Sequence, residues 1–465
     1  MAQALIESTA LEDLAGQIAG DVIAPDGPGY DEARAVFNAM IDRRPAAIIR
    51  PVGVADVIAA VRFARSLDLP IAIRGGAHSV AGNGTCDDGV VIDLSRLKGV
   101  RVDPAAKTAR AAGGATWGEF DRETQAFGLV APGGRITTTG VGGFTLGGGY
   151  GWFSAKFGLA CDNLVSADVV TADGRLVTAS ATENPDLFWA LKGGGGNFGV
   201  VTSFEFRLNE LGPMIYGGLL GFRIEDAPAV MRFWRDFADS APDDLATAVV
   251  TLAAPPEEFV PADLHGKTIL GMIAAWAGDP AAGEEALRPL REQATPAFDL
   301  LGELPYVGLQ AMIDPFAPRG MLNYYKGHHL KGLSDEAIET YIANAPQGFE
   351  PSTQAILFRH GGAVGRVAAE ESAFRHRDAA YMYHPFVIWG DPATTDAHLD
   401  WVFAAAEAME PFATGGVYLN FEAEGTGVPA GYYDEALRRL AEVKQACDPE
   451  NVFRFNHNIT PSGSS

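Results

Sequence analysis

Between Pro132 and Gly151 the chain reads Pro-Gly-Gly-Arg-Ile-Thr-Thr-Thr-Gly-Val-Gly-Gly-Phe-Thr-Leu-Gly-Gly-Gly-Tyr-Gly, and nine of its 55 glycines fall between Gly133 and Gly151. Glycine without a collagen-like period gathers where backbone must pass close to something or turn with positive φ. Threonines and apolar residues punctuate the run, so it is too structured for a linker. A dinucleotide lying along bare backbone would demand such a stretch. It is not a Rossmann fingerprint, because no Gly-x-Gly-x-x-Gly follows a first strand with an acidic residue about 20 positions on. No Gly-Lys-Ser/Thr closes it, which excludes a Walker loop.

At 465 residues the chain is too long for one ordinary core, and two domains are expected. Its net charge of −24 repels phosphate backbones and anionic lipid, so nucleic-acid and membrane partners are not expected. Cys86, Cys161 and Cys447 are too few for a disulfide framework and lack metal-site spacing. Met1 to Gly20 carries Glu7, Glu12 and Asp13 and no basic, then apolar, leader pattern. No uninterrupted apolar stretch reaches about 18 residues. A cytoplasmic protein, monomeric or homodimeric, is the expectation.

From Ala46 the pattern runs strand, helix, strand: Ala47 to Ile49, then Val54 to Leu67 with apolar residues at helical spacing, then Pro70 to Ile73. Val90 to Leu94 reads as a buried strand, and Val100 to Ala112 as a hairpin. Asp173-Gly174 marks a second hairpin turn. Asn184-Pro185 opens a helix, with Asn184 as N-cap. Beyond Gly212-Pro213 the texture changes to long strands, such as Leu245 to Leu252 and Ala380 to Ile388, mixed with helices and proline-rich loops. That pattern predicts a domain built on an antiparallel sheet backed by helices. Gly416 to Phe421 reads as a strand, and Tyr432 to Ala446 as a helix.

Two short segments carry candidate chemistry. In Arg74-Gly75-Gly76-Ala77-His78-Ser79, two glycines between a strand and a histidine let backbone N–H groups approach an anion. Alone, a histidine in a turn is more often a structural hydrogen-bonder. In Lys156-Phe-Gly-Leu-Ala-Cys161-Asp-Asn, the ordinary role of the cysteine is that of a small buried hydrophobe.

Taken in order, these segments resemble the vanillyl-alcohol oxidase superfamily of FAD-linked oxidases, and within it the berberine bridge enzyme-like group. The resemblance covers nearly the whole chain. It takes in the Arg-Gly-Gly-Ala-His-Ser loop, Asp93-Leu-Ser, Thr139-Gly-Val-Gly-Gly, Gly147-Gly-Gly-Tyr-Gly and Gly158-Leu-Ala-Cys-Asp-Asn. Asn184-Pro-Asp-Leu-Phe-Trp, Gly194-Gly-Gly-Asn-Phe-Gly-Val-Val, Tyr418-Leu-Asn-Phe and Asp448-Pro-Glu-Asn-Val-Phe-Arg-Phe-Asn-His-Asn-Ile extend it. Ala77, where relatives often have a third glycine, and Phe157, where they often have tyrosine, depart from the pattern.

The resemblance implies an α+β fold. A PCMH-type FAD-binding domain of two α/β subdomains would span 1–210, with its core at 42–210. A substrate domain with an antiparallel sheet would span 211–411, and 412–465 would return to the first domain. It implies FAD bonded through its 8α carbon to His78 and through C6 to Cys161. Neutral imidazole can add at the electrophilic 8α carbon, and a thiolate at C6 if its pKa is lowered or the ring is close. Arg74, Gly75, Gly76, Ser79, Thr139, Gly140, Gly143, Gly148, Gly149, Gly151, Val200, Asn420, Asn456 and Asn458 are the further expected FAD contacts.

The implied activity is an oxidase taking a hydride from a C–H beside a hydroxyl or amine of a small organic substrate, with O2 as the final acceptor. Tyr418 is the expected proton acceptor, with Tyr325, His328, His329 and His360 as further candidates. A phenol with pKa near 10 needs its anion stabilised to serve as a base. The alternatives are a flavin dehydrogenase with another electron acceptor, or a non-enzymatic flavin-binding protein with a redox or storage role.

Overall fold

A computed structural model describes residues 6–292, 295–424 and 431–463. Its N-terminal part holds two sheets. The first is four-stranded, in the order Asp21–Ile23, Ala47–Arg50, Val90–Asp93, Ile71–Arg74, the last three being mutually parallel. Helix Val54–Ser66 is the crossover, and it buries Val57, Ala60, Val61 and Ala64 against that sheet. The three parallel strands read as short apolar runs because both their faces are covered.

The second sheet is antiparallel, in the order Val100–Asp103, Thr108–Ala112, Val200–Arg207, Leu164–Val170, Leu176–Ser180. Both expected hairpins are present in it. Helix Trp117–Gln125 starts on a capping box formed by Thr116 and Glu119, and buries Trp117 and Phe120 in the same core. Helix Pro185–Leu191 forms as expected, but Asn184 does not cap it with its side chain. That amide instead donates to the Thr178 carbonyl at 2.7 Å, and Asn184 takes φ +48°.

The third sheet has nine strands and is antiparallel throughout. Its centre is Leu245–Ala253, flanked by Thr268–Trp276 and Gln354–Arg359, with Tyr381–Trp389 next. Every residue of Leu245–Ala253 is buried, because both faces of the sheet are covered. Helices Ala227–Ser240, Pro280–Glu292, Asp335–Ala343 and Thr395–Met409 cover one face through Trp234, Leu287, Ile338 and Met409. The opposite face, with Ala248, Ile273, Ile356 and Phe358, packs toward Tyr150, Trp152 and Tyr418. The whole is the α+β arrangement expected of the sequence.

Helix Asp434–Cys447 lies on Pro185–Leu191, where the Arg439 guanidinium sits 4.0 Å over the Trp189 ring. One expected strand is absent: Leu419–Phe421 forms a 3-10 turn. Val417 to Phe421 alternates like a strand, but the backbone N–H groups of Phe421 and Glu422 bond locally to the Tyr418 and Leu419 carbonyls at 2.8 and 3.2 Å, which takes those groups from any ladder.

A buried acid joins the two parts of the molecule. Asp121, on helix Trp117–Gln125, accepts from Gln310 Nε2 at 3.0 Å, and Gln310 belongs to helix Tyr306–Ala311 beside the nine-stranded sheet. Burial pushes the Asp121 carboxyl up to about 7, against which the Gln310 hydrogen bond pulls weakly. A carboxyl whose folded pKa exceeds its unfolded one favours folding most when protonated. Its contribution is therefore full below about pH 4 and is lost as pH rises to about 7. Asp121→Asn is expected to flatten this decline in thermal melts recorded across that window; an unchanged pH slope would refute the assignment.

Candidate functional site

A cavity of ≈ 330 Å³ opens between the N-terminal sheets and the inner face of the nine-stranded sheet, and C-terminal residues from Tyr418 to His457 close it. Its glycine walls follow from a close backbone approach. A Cβ on Gly76 would stand 2.3 Å from Gly140 N, and one on Gly140 would stand 2.3 Å from Gly76 N. The two loops therefore meet backbone to backbone, and neither position admits a side chain. Gly76→Ala and Gly140→Ala are each expected to destabilise the fold by about 1–3 kcal/mol, read as lost thermal stability. An unchanged melting temperature would show that the loops can part freely.

Between these loops lies His78. Its Nε2 is 2.8 Å from Thr138 Oγ1, and Phe37 stacks on its ring at 4.1 Å. Burial, with Arg319 nearby, pushes its pKa down to about 3, so the imidazole is neutral. Nδ1 has no hydrogen-bond partner among the described residues. Ala77 keeps the loop's left-handed turn at φ +63° in spite of its Cβ. Arg74 lines the cavity, with its guanidinium engaged by backbone carbonyls. Its guanidinium donates to the carbonyls of Gly84 and Arg34 at 3.0 and 3.2 Å and to that of Ala33, and so ties the loop down.

The glycine run itself splits in two. Val141–Leu146 is a short helix whose Gly143 faces the cavity with nothing within 4 Å of a Cβ position, as does Gly196. Gly148 and Gly149 turn the chain with φ +110° and +87° and lie behind the wall, against Phe374 and Ala160. Gly151 backs onto Gly133. Gly75, Ser79, Thr139, Gly140, Asn420 and Asn456 line the cavity, whereas Gly148, Gly149, Gly151, Val200 and Asn458 do not.

On the same wall, the Tyr418 hydroxyl accepts three N–H groups: Gly149 at 3.1 Å, Tyr150 at 3.2 Å and Asn420 Nδ2 at 3.0 Å. Burial raises its pKa, while these donors and the Arg135 charge pull the other way. Arg135, to which the sequence reading gave no role, is buried with no carboxylate partner among the described residues. Its guanidinium lies 3.8 Å over the Phe358 ring and 4.9 Å over Tyr150. Burial lowers its pKa to about 10.

Of the other expected proton acceptors, only Tyr325 reaches the cavity. His328 faces Tyr383, and His329 is enclosed between His360 and His376. His360 supports the back of the Tyr150 ring at 4.9 Å and donates through Nδ1 to the Ala379 carbonyl. These three histidines pack behind the wall and touch no ligand space. His384, which the reading passed over, does line the cavity.

Cys161 also departs from expectation. Its backbone N–H donates to Gly148 O, so the residue sits behind the glycine turn. Its thiol is fully buried, 3.6 Å from Asp162 Oδ1, and is absent from the cavity wall. Burial and the Asp162 charge push its pKa well above the ordinary thiol value, the opposite of what a nucleophilic thiolate needs. Arg377, paired with Asp162 at 2.7 Å, acts against this only in part. The expected second flavin bond has no thiol at the cavity.

The residues present fit a dinucleotide. Gly143 and Gly196 offer open backbone, and Asn456 Oδ1 and His457 Nδ1 are buried without partners beside the cavity. Comparison with known proteins agrees. Residues 45–180 match the FAD binding domain family, and 417–460 the berberine and berberine like family. An uncharacterized FAD-linked oxidoreductase YgaK of Bacillus subtilis is 32% identical over 457 residues, 96% of this chain and 98% of its own. The crystal structure of 6-hydroxy-D-nicotine oxidase from Arthrobacter nicotinovorans superposes with a TM-score of 0.86 at 27% identity, covering 96% of this chain and 98% of that one. Glucooligosaccharide oxidase from Acremonium strictum, described with a 6-S-cysteinyl, 8α-N1-histidyl FAD, gives 0.84 at 25% identity over 97% and 99%. The chain belongs to the berberine bridge enzyme-like FAD-linked oxidoreductases and is an oxidoreductase with a PCMH-type FAD-binding fold. Among the described residues no helix is long and apolar enough to cross a membrane, and no cluster of His, Cys, Asp and Glu could hold a metal.

Proposed function

We propose that the protein is an oxidase with FAD tethered through His78 alone, removing hydride from a C–H next to a hydroxyl or amine and passing electrons to O2. Bound FAD would supply the hydride uptake and the reaction with O2. The chain's residues supply the rest. Gly75, Gly76, Thr139, Gly140, Gly143 and Asn456 would hold the cofactor along open backbone, and the neutral His78 would anchor it. Tyr418 would take the substrate proton. The observation that carries the reading is the convergence of three N–H donors on the Tyr418 hydroxyl, in the wall of the cavity that also holds His78. Three donors on one oxygen stabilise the phenolate and offset part of the cost that burial sets on it.

Acid precipitation of the purified protein tests the tether. Yellow colour is expected in the pellet of the parent and in that of Cys161→Ala, and in the supernatant for His78→Ala. Colour retained by His78→Ala would move the attachment elsewhere, and a colourless parent would remove the cofactor. Release of H2O2 on turnover under air separates the oxidase from a dehydrogenase.

A further inference from the structure

The substrate side of the cavity is one face of a sheet. Strand Gln354–Arg359 presents Gln354, Ile356 and Phe358, and its neighbour Tyr381–Trp389 presents His384, Phe386 and Ile388. Ile356 stands opposite His384 and Gln354 opposite Phe386, so the alternation of both strands is in step. Tyr325 extends the face from the next strand, opposite Phe386. Ile313, Phe316 and Phe421 complete the apolar surround. A saccharide presents hydroxyls around its whole rim, and each one buried here without a partner would cost about 1–3 kcal/mol.

Beside the Tyr325 hydroxyl and the Gln354 amide, His384 is the polar group of this face that its neighbours hold in a fixed orientation. The His384 ring lies 3.7 Å from the Phe421 ring at 10°, is stacked on Phe386 at 4.9 Å, and meets the edge of Tyr325 at 5.3 Å. Its Nδ1 is 2.7 Å from the Lys326 carbonyl oxygen. A carbonyl only accepts, so Nδ1 carries the ring proton. The Nε2 of the neutral ring is then a lone-pair acceptor, and it has no partner among the described residues. Gln354 already donates its amide to the Pro351 carbonyl at 2.8 Å.

We infer that the site takes a flat aromatic substrate bearing a hydroxyl, its ring against Ile356, Phe358 and Phe386 and its O–H donated to His384 Nε2. This deepens the oxidase reading and rests on it. His384 positions the substrate here; Tyr418 keeps the role of proton acceptor. Burial pushes the His384 pKa down to about 3, so the acceptor stays neutral across the working range.

Titration calorimetry on the flavin-loaded protein tests this with 2-naphthol, its methyl ether and cellobiose as probes. Naphthol is expected to bind about tenfold more tightly than the ether, which cannot donate. That gap is expected to close in His384→Leu and to persist in His384→Gln, which keeps an acceptor. Cellobiose binding as tightly as naphthol would overturn the aromatic class, and a gap surviving in His384→Leu would overturn the role of Nε2. Flavin content, measured on the same samples, separates the failures: a protein without flavin sinks the oxidase reading, whereas a flavin-loaded protein indifferent to the probes sinks only this inference.

Discussion

Tyr418→Phe is expected to slow anaerobic flavin reduction by about two orders of magnitude, the usual effect of losing a positioned general base. The substitution keeps the ring that packs with Phe374 and Phe421, so folding and flavin content are expected to hold. The pH profile gives a second, independent readout. Burial leaves the Tyr418 pKa above the ordinary phenol value even with three N–H donors and Arg135 acting against it. The phenolate fraction below that pKa grows tenfold per pH unit, so the parent's reduction rate is expected to rise with pH while that of Tyr418→Phe stays flat. Arg135→Met removes the nearby positive charge and is expected to move the parent's profile to higher pH. Stopped-flow reduction with any accepted substrate checks all three, and equal rates for the parent and Tyr418→Phe across pH would place the base elsewhere.

Glycine made the cofactor side of this site legible. A Cβ on Gly76 or Gly140 would stand 2.3 Å from the backbone of the other loop, so the residue type is itself the geometric requirement, and both the Arg74 to Ser79 loop and the glycine run stood out in the sequence as places of close backbone approach. Tyr418 was legible as a candidate, but the source of its N–H donors was not, because Gly149 lies 269 residues away and its N–H is free only where the backbone turns with positive φ. His384 was hidden differently. Period-two alternation puts it on one face with Phe386 and Ile388, yet nothing local says which face of a strand that reads apolar on both sides meets a cavity. Arg135 was lost among glycines for the same reason, since its aromatic surround comes from Tyr150, Trp152 and Phe358. Cys161 shows the limit of reading by resemblance. The match of Cys161 to the family's linkage position implied attachment, but the hydrogen bond of its backbone N–H to Gly148 O turns it into the core behind that segment.

Lys444→Met is expected to destabilise the protein by about 3–5 kcal/mol and to lower its flavin content together with its stability. Lys444 is completely buried, and its ammonium donates to Asp448 Oδ2 at 2.6 Å, to Asn197 O at 2.7 Å and to Phe453 O at 2.9 Å. Asp448 in turn accepts the backbone N–H groups of Val452 and Phe453 at 2.8 and 2.9 Å. Burial alone pulls the Lys444 pKa down, and the Asp448 carboxylate opposes it. Methionine matches the stem in length but leaves a buried carboxylate without its cation and two carbonyls without a donor, and breaking one side of a buried pair costs far more than the pair contributes. The loss falls on a junction: Asn197 follows the cavity-lining Gly195 and Gly196, and Phe453 leads into Phe455, Asn456 and His457, which also line the cavity and bond directly to that segment through Asn456 Nδ2 to Gly196 O and Asn197 Nδ2 to His457 O. Replacing both partners, Lys444→Met with Asp448→Leu, removes the orphaned charge and is expected to recover part of the stability. Thermal melts of the single and double variants, with flavin absorbance recorded on the same samples, check the account. A Lys444→Met protein as stable as the parent would mean that this ion pair does not hold the C-terminal segment in place.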